Sequence, residues 1–415
     1  MTFFKETIRD VPLEHQTVLV RADYNVPLND KGEIDDDLRI RASIPTIQYL
    51  LDRGCKVVII SHLGRPEGVD PKFTLEPVAA RLAQLLHRDV RFINDTIHDR
   101  ATQVAKRAPK NSVVMFENLR FDTREEADDM DYAKAIAAAS GARYFVQDGF
   151  GVVHRAHAST HAITLCLPSV AGLLLEKEYE AITSAMNHPK RPLYAVVGGA
   201  KVSDKISIIN QFVARADKII IGGAMANTFL AYKGINVGAS KYEPDQTATI
   251  DEIYASVRAK VGDDVDKFLV LPSDVAVGKT TDASEPRRSV PVNEIGPDDK
   301  ALDIGDDTIE KVVDDVHKNA ATVVWNGTLG FAELPNFAHG SARLAMALAT
   351  KPAITSIIGG GDTADFIIKW DAKKGGSFSH VSTGGGASLE LMAGDKLPGI
   401  ESLLDARKQV RYTKG

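Results

Sequence analysis

Short apolar runs, each ending in a glycine turn or a charged tip, recur along the whole of this chain. In the first half they cover residues 18–20, 57–60, 113–115 and 144–146. In the second half they cover 193–197, 219–221, 268–271 and 322–325, with polar-interrupted strand patterns at 354–358 and 380–382. Uninterrupted apolar strands are buried on both faces, and the amphipathic stretches between them supply the covering helices. This pattern predicts an α/β protein with mostly parallel, Rossmann-like sheets. In such sheets ligands bind outside the carboxyl ends of the strands, where the tips lie.

A length of 415 residues accommodates two domains of similar size. The boundary is read from residues 171–187, where Leu175, Tyr179, Ile182 and Met186 recur at helical spacing before His188-Pro189-Lys190-Arg191-Pro192 ends the pattern. The expected organisation is a first domain over 1–172, a connector helix over 173–188, a second domain over 189–403 and a basic tail over 404–415. A net charge of −6 leaves no global basic field for nucleic acid or an acidic membrane surface. No apolar run approaches the ~20 residues of a membrane span. The N-terminus lacks the apolar core of a signal peptide. Cys55 and Cys166 are too few for a disulfide framework, so a cytoplasmic protein is expected.

The first-half tips carry Asp23 and Asn25, then His62 and Arg65, then Arg120, then His154 and Arg155, with Arg39 at the start of a helix over 40–51. A single surface arginine is usually a solvated charge. Repeated placement after strands argues for one cationic patch formed by Arg39, His62, Arg65, Arg120, His154 and Arg155. The spacing of His154, His157 and His161 could also serve zinc, but no Cys or acidic ligand accompanies it. The acidic runs at 35–37 and 125–131 read as solvated loop surface.

The second-half tips are glycine-rich. Gly198-Gly199-Ala200-Lys201-Val202-Ser203-Asp204-Lys205 follows one strand and opens a helix, where free N–H groups and the helix dipole favour an anion. Gly222-Gly223, Gly359-Gly360-Gly361-Asp362-Thr363 and Thr383-Gly384-Gly385-Gly386 repeat the theme. Asp362 in such a turn is a candidate magnesium–phosphate partner. There is no Walker A spacing and no Gly-x-Gly-x-x-Gly, which argues against a P-loop and a dinucleotide cofactor.

Taken together, these motifs resemble phosphoglycerate kinases. The first-half motifs are Arg21-Ala-Asp23-Tyr-Asn25, Ser61-His62-Leu-Gly-Arg65, Glu117-Asn118-Leu-Arg120 and His154-Arg155-Ala-His157. The second-half motifs are Gly198 to Lys205, Trp325-Asn326-Gly327, Gly359 to Thr363 and Ser382 to Glu390. All eight stand in the family's order. The resemblance implies two α/β domains facing a cleft and reversible, magnesium-dependent phosphoryl transfer from 1,3-bisphosphoglycerate to ADP. It implies that Asp23, Asn25, Arg39, His62, Arg65, Arg120, His154 and Arg155 hold the glycerate substrate. Gly199, Lys201, Lys205, Gly222, Gly223, Asn326, Glu333, Gly360, Gly361, Asp362 and Thr363 would hold the nucleotide, with Asp362 facing Mg²⁺. Arg39, Lys205, Gly385 and Gly386 would act on the transferring phosphoryl group. A monomer that closes about the 171–192 connector is expected, with small molecules as its only partners. The chain departs from the family at Thr328, where Pro is usual, at Phe331-Ala332 before Glu333, and at Gly149, Val152 and Val153. The competing reading is a non-catalytic nucleotide or phosphometabolite binder on the same fold.

Overall fold

A computed structural model describes residues 3–29 and 31–406, so the basic tail from 407 on lies outside the described residues. The chain divides into two compact units, one running up to Glu180 and resuming at Lys396, the other spanning Ala181–Asp395.

In the first unit β1 (Thr17–Arg21), β2 (Lys56–Ile60), β3 (Val90–Ile93), β4 (Val113–Phe116), β5 (Tyr144–Gln147) and β6 (Ser169–Ala171) form one sheet in the order β3-β4-β2-β1-β5-β6. All its pairings are parallel. Side chains alternate across it as a pleat requires. Val18, Val20, Val57 and Ile59 enter one apolar core, while Leu19, Val58 and Ile60 enter the other. The edge strands β3 and β6 have no counterpart among the apolar runs. Half of β3 is only partly covered, and β6 is three residues long, so neither carries a long apolar run.

The chain leaves β6 into the helix Leu173–Asn187. Its first donors are taken by side chains. Leu173 N–H donates to Thr46 Oγ1 at 3.0 Å and Leu174 N–H to Asp148 Oδ1 at 3.0 Å. The helix thus starts against the tip of β5 and continues into the second unit.

In that second unit β7 (Leu193–Val197), β8 (Lys218–Ile221) and β9 (Leu269–Val270) share a parallel sheet with β13 (Thr322–Asn326), β14 (Thr355–Gly359) and β15 (His380–Val381). The order is β15-β14-β13-β7-β8-β9. Between β9 and β13 the chain adds β10 (Asp274–Gly278), β11 (Arg288–Pro291) and β12 (Lys300–Ile304), a small antiparallel sheet that the apolar runs did not announce.

The second unit ends at Asp395 rather than at 403. Residues 396–406 return to the first unit because the N-terminal segment needs them. The Lys5 ammonium, 5% exposed, donates to the Glu401 and Leu403 carbonyls at 2.7 and 3.0 Å and to Asp405 Oδ1 at 2.7 Å. A buried ammonium is tolerated only when its donors are satisfied in this way.

Candidate active site

Each sheet reverses its winding once. From β1 the chain winds toward β2 and the β3 edge, and from β5 it winds the other way to β6. In the second unit the same reversal separates β7 from β13. A crevice opens at such a point, outside the strand ends.

In the first crevice Arg39 donates to Asp23 Oδ2 in a short ion pair. Asp23 Oδ1 also accepts the Asn25 N–H at 3.2 Å. Asn25 Oδ1 in turn accepts the Gly64 N–H at 2.8 Å, joining the β1 and β2 tips. Arg120 donates to the Gly64 carbonyl at 2.8 Å and pairs with Glu126 at 3.0 Å. Arg65 is exposed and Arg155 half-buried. From the β5 side Gly151 leaves the room that Asp23 occupies, because a Cβ there would lie 2.2 Å from Asp23 Oδ2.

The histidines correct the expected patch, because they do not carry its charge. Burial, followed by Arg21, Arg120 and Arg39, holds His62 well below its ordinary pKa. Burial and Arg155 push His154 down to about 4, and burial with Arg21 and Arg120 pushes His157 to about 4. The positive field comes from Arg39, Arg65, Arg120 and Arg155. Arg155 Nε donates to His154 Nε2 at 3.2 Å, so the neutral ring carries its proton on Nδ1, which is buried with no protein partner. That is a donor held ready for a ligand. His161 pairs with Asp128 at 2.7 Å, and no group of three His, Cys, Asp or Glu among the described residues is arranged to hold a metal ion.

In the second crevice Lys205 Nζ donates to the Gly198 carbonyl at 2.8 Å and to Asn326 Oδ1 at 2.6 Å, spanning the β7 and β13 tips. Loss of hydration lowers its pKa to about 8, against an opposing pull from Asp362. Thr363 Oγ1 accepts the Gly327 N–H at 2.7 Å, and Gly360 N–H donates to Ser388 Oγ at 3.2 Å, tying in the β14 and β15 tips. Lys201 and Glu333 are exposed.

The glycines divide into two kinds. A Cβ on Gly222 or Gly223 would strike Leu329 Cδ2 at 2.5 Å or Gly199 N at 2.6 Å, so these serve the packing of the tips. Gly361 and Gly385 face open space at helix starts, where N–H groups are free for an anion. Gly199, with φ of 104°, and Gly360, with φ of 89°, adopt a backbone that side chains resist.

The tightest contact against backbone is at Gly198, whose added Cβ would lie 2.0 Å from the Thr328 carbonyl oxygen. Backbone cannot step aside as a side chain can. Gly198→Ala is therefore expected to destabilise the second unit by about 3 kcal/mol or more. Urea unfolding reads this, and an unchanged midpoint would show that the tips are not locked together.

Asp362 is an exposed carboxylate in the first turn of the helix Gly361–Trp370. Nearby, the buried Asn326 Nδ2 has no protein partner and lies 3.0 Å from where a Gly360 Cβ would stand. Mg²⁺ takes one or two carboxylates and otherwise phosphate oxygens and waters. One accessible carboxylate fits the metal, and the unpartnered Asn326 amide donor fits the phosphate oxygens that share it.

The motifs give Arg21 no role, and the acidic run at 125–131 places Glu125 in solvated loop. The structure buries both beneath His62, with Arg21 1% exposed and Glu125 at 0%. Arg21 closes an apolar strand, and Glu125 follows Arg120 by five residues. Both signals were present but do not specify burial.

Two Rossmann-like units, one with an arginine-lined and one with a glycine-lined crevice at its switch point, define an α/β protein of the nucleotide-fold class. The family model for phosphoglycerate kinase matches residues 8–395. A phosphoglycerate kinase of Pelotomaculum thermopropionicum is 42% identical over 402 residues, covering 97% of this chain and 99% of that one. A cytosolic phosphoglycerate kinase of Triticum aestivum is 43% identical over 403 residues, with 96% and 98% covered. The solved phosphoglycerate kinase of Coxiella burnetii superposes with a TM-score of 0.82 at 33% identity, covering 96% of this chain and 98% of that one. The chain belongs to the phosphoglycerate kinase family.

Proposed function

We propose that this member of the family is a working enzyme that reversibly transfers a phosphoryl group between 1,3-bisphosphoglycerate and ADP, giving 3-phosphoglycerate and ATP. The observation that carries the reading is the pairing of two different anion crevices, arginine-lined in one unit and glycine-lined with Lys205 in the other. The first suits a small polyanion, since guanidinium forks match carboxylate and phosphate oxygens. The second suits a nucleotide phosphate chain at helix N-termini.

Toward ATP consumption, a carboxylate oxygen of 3-phosphoglycerate attacks the γ-phosphorus and the bond to the β,γ-bridging oxygen breaks, with its electron pair leaving on ADP. The nucleophile is already ionised, so no general base is needed. Positioning and charge neutralisation remain as the protein's tasks. Arg39, oriented by Asp23, faces the transferring group from the glycerate side. Asp23 accepts hydrogen bonds only, so its place among anions fits the one donor on the substrate, the 2-hydroxyl. Asn25, His62, Arg65, Arg120, His154 and Arg155 complete that half. Lys205, with Gly385 and Gly386, serves the nucleotide side, and Gly199, Lys201, Gly222, Gly223, Asn326, Glu333, Gly360, Gly361 and Thr363 cradle the nucleotide. Asp362 would hold magnesium, which when bound supplies charge neutralisation at the phosphate oxygens.

Direct transfer requires the two substrates to meet with water excluded, or the acyl phosphate hydrolyses. The reading therefore includes closure about the connector helix. X-ray scattering is expected to give a smaller radius of gyration with both substrates than with neither, and equal profiles would count against closure. We place the enzyme in the cytoplasm, supported by the free thiols Cys55 and Cys166, and take the monomer as its working form. Among the described residues no helix is long and apolar enough to cross a membrane. The deciding experiment is a coupled assay of purified protein. ATP consumption dependent on 3-phosphoglycerate is expected, and its absence at any magnesium concentration would overturn the proposal.

A further inference from the structure

Beneath the first crevice lies a buried ion pair to which the phosphoryl chemistry gives no task. Glu125 Oε1 accepts the Ser159 hydroxyl at 2.5 Å, and Oε2 accepts the Ser159 N–H at 3.1 Å. The Ser159 oxygen accepts Arg21 Nε–H at 2.8 Å, and Arg21 Nη2 lies 3.8 Å from Glu125 Oε1. Arg21 Nη1 donates to the Ala22 carbonyl at 2.5 Å. The guanidinium is thus gripped on one edge and along its stem. Its Nη2 lies 3.2 Å from His62 Nδ1.

Guanidinium has donors and no acceptor. The contact therefore requires His62 Nδ1 to be the accepting nitrogen. A neutral imidazole with Nδ1 bare carries its single proton on Nε2, on the opposite edge of the ring. The other ionisable groups that face this ring are Arg120, Arg39 and His157. Neither arginine can accept, and both oppose a second proton on it, while His157 is itself held neutral by burial.

We infer that Glu125 and Arg21 are positioning residues for His62: Glu125, through Ser159, holds the Arg21 fork, and the fork holds His62 as a neutral Nε2–H donor to an anionic oxygen of the glycerate substrate. The inference rests on the reading of this crevice as the glycerate site. It explains why a charge pair, costly to bury, stands under a site already rich in arginine. A ring that titrated near neutrality would change the site's charge within the working pH range. A ring locked as a neutral donor contributes direction and leaves the charge to the arginines.

The test begins with the free wild-type enzyme, so its first result does not depend on what the crevice binds. Two-bond nitrogen–proton NMR correlations, assigned by comparison with His62→Gln, are expected to show the Nε2–H tautomer. The pattern is expected to stay unchanged from about pH 5.5 to about pH 8.5. An Nδ1–H tautomer, or titration near the ordinary histidine value, overturns the inference.

Glu125→Gln, which removes the charge while keeping an acceptor for Ser159, is expected to give mixed His62 tautomers. It is also expected to raise KM for 3-phosphoglycerate about tenfold with kcat changed less, the loss of one oriented hydrogen bond to a charged group. Reduced stability with an unaltered tautomer and KM would make the pair merely structural and overturn the inference. Should Glu125→Gln not fold, Ser159→Ala, which removes the hydroxyl bridge from Glu125 to Arg21 Nε and leaves only the longer ion pair, is expected to shift the tautomer and KM in the same direction by a smaller amount. Arg21→Lys is expected to preserve neither the tautomer nor KM, because an ammonium cannot span Ser159, the Ala22 carbonyl and His62 Nδ1 as the planar fork does.

Discussion

Arg39→Ala is expected to lower kcat by about a thousandfold, while KM for 3-phosphoglycerate rises about tenfold or less. The asymmetry follows from what Arg39 would face. Several arginines share the ground-state charge of the glycerate, so one is dispensable for binding. Charge on the transferring phosphoryl oxygens develops only in the transition state, and Arg39 is the group assigned to it. Asp23 holds its guanidinium in place, so Asp23→Asn is expected to show a smaller loss of the same kind. Steady-state kinetics in the coupled assay read both. Turnover unchanged in Arg39→Ala would remove Arg39 from the reaction, and an equal loss in kcat and binding would make it an ordinary substrate contact.

Lys205→Met is expected to lower kcat by a comparable factor, about 10²–10³, and to raise KM for the nucleotide. Here the charge is costly in the free protein. Partial burial already moves the Lys205 pKa down to about 8. The working form is the charged one, which is present below that pH and lost above it. The kcat/KM for nucleotide, which reports the free enzyme, is therefore expected to fall with one deprotonation above about pH 8. Bound phosphates favour the ammonium, so kcat is expected to fall at higher pH than kcat/KM. Lys205→Arg, which does not titrate, is expected to abolish the alkaline fall in whatever activity it retains. A profile for Lys205→Arg that still falls near pH 8 would assign the fall to another group.

Much of the fold was legible because strands buried on both faces must be apolar throughout, and these runs were counted directly. The strands that escaped carry no long apolar run. β3 and β6 are edges, and β10–β12 form a small antiparallel sheet with an exposed outer strand at β11. The return of 396–406 to the first unit was equally hidden, since it depends on the buried Lys5 ammonium finding two carbonyls and the Asp405 carboxylate between 396 and 400 residues on. Among the motif residues, identity could be read but state could not. His62 and His154 were legible as site candidates and wrongly counted as charges, because a histidine's charge is set by burial and by neighbouring arginines. Glu125 is the sharper case. It opens an acidic run whose other members are not fully buried, and only its position under Arg21 makes it interior.

By itself the sequence determined the alternation of strand and helix, the polar or glycine tip on each strand, and the order of the eight motifs. These are local properties, decided by side-chain polarity, glycine's backbone freedom and chain direction. The tertiary structure alone decided which tips share a crevice, that Lys205 bridges β7 and β13, that Gly198 packs against the Thr328 carbonyl, and that the Arg21 fork lies against His62 Nδ1. Those facts depend on distances between residues far apart in the chain, and on the loss of water around them.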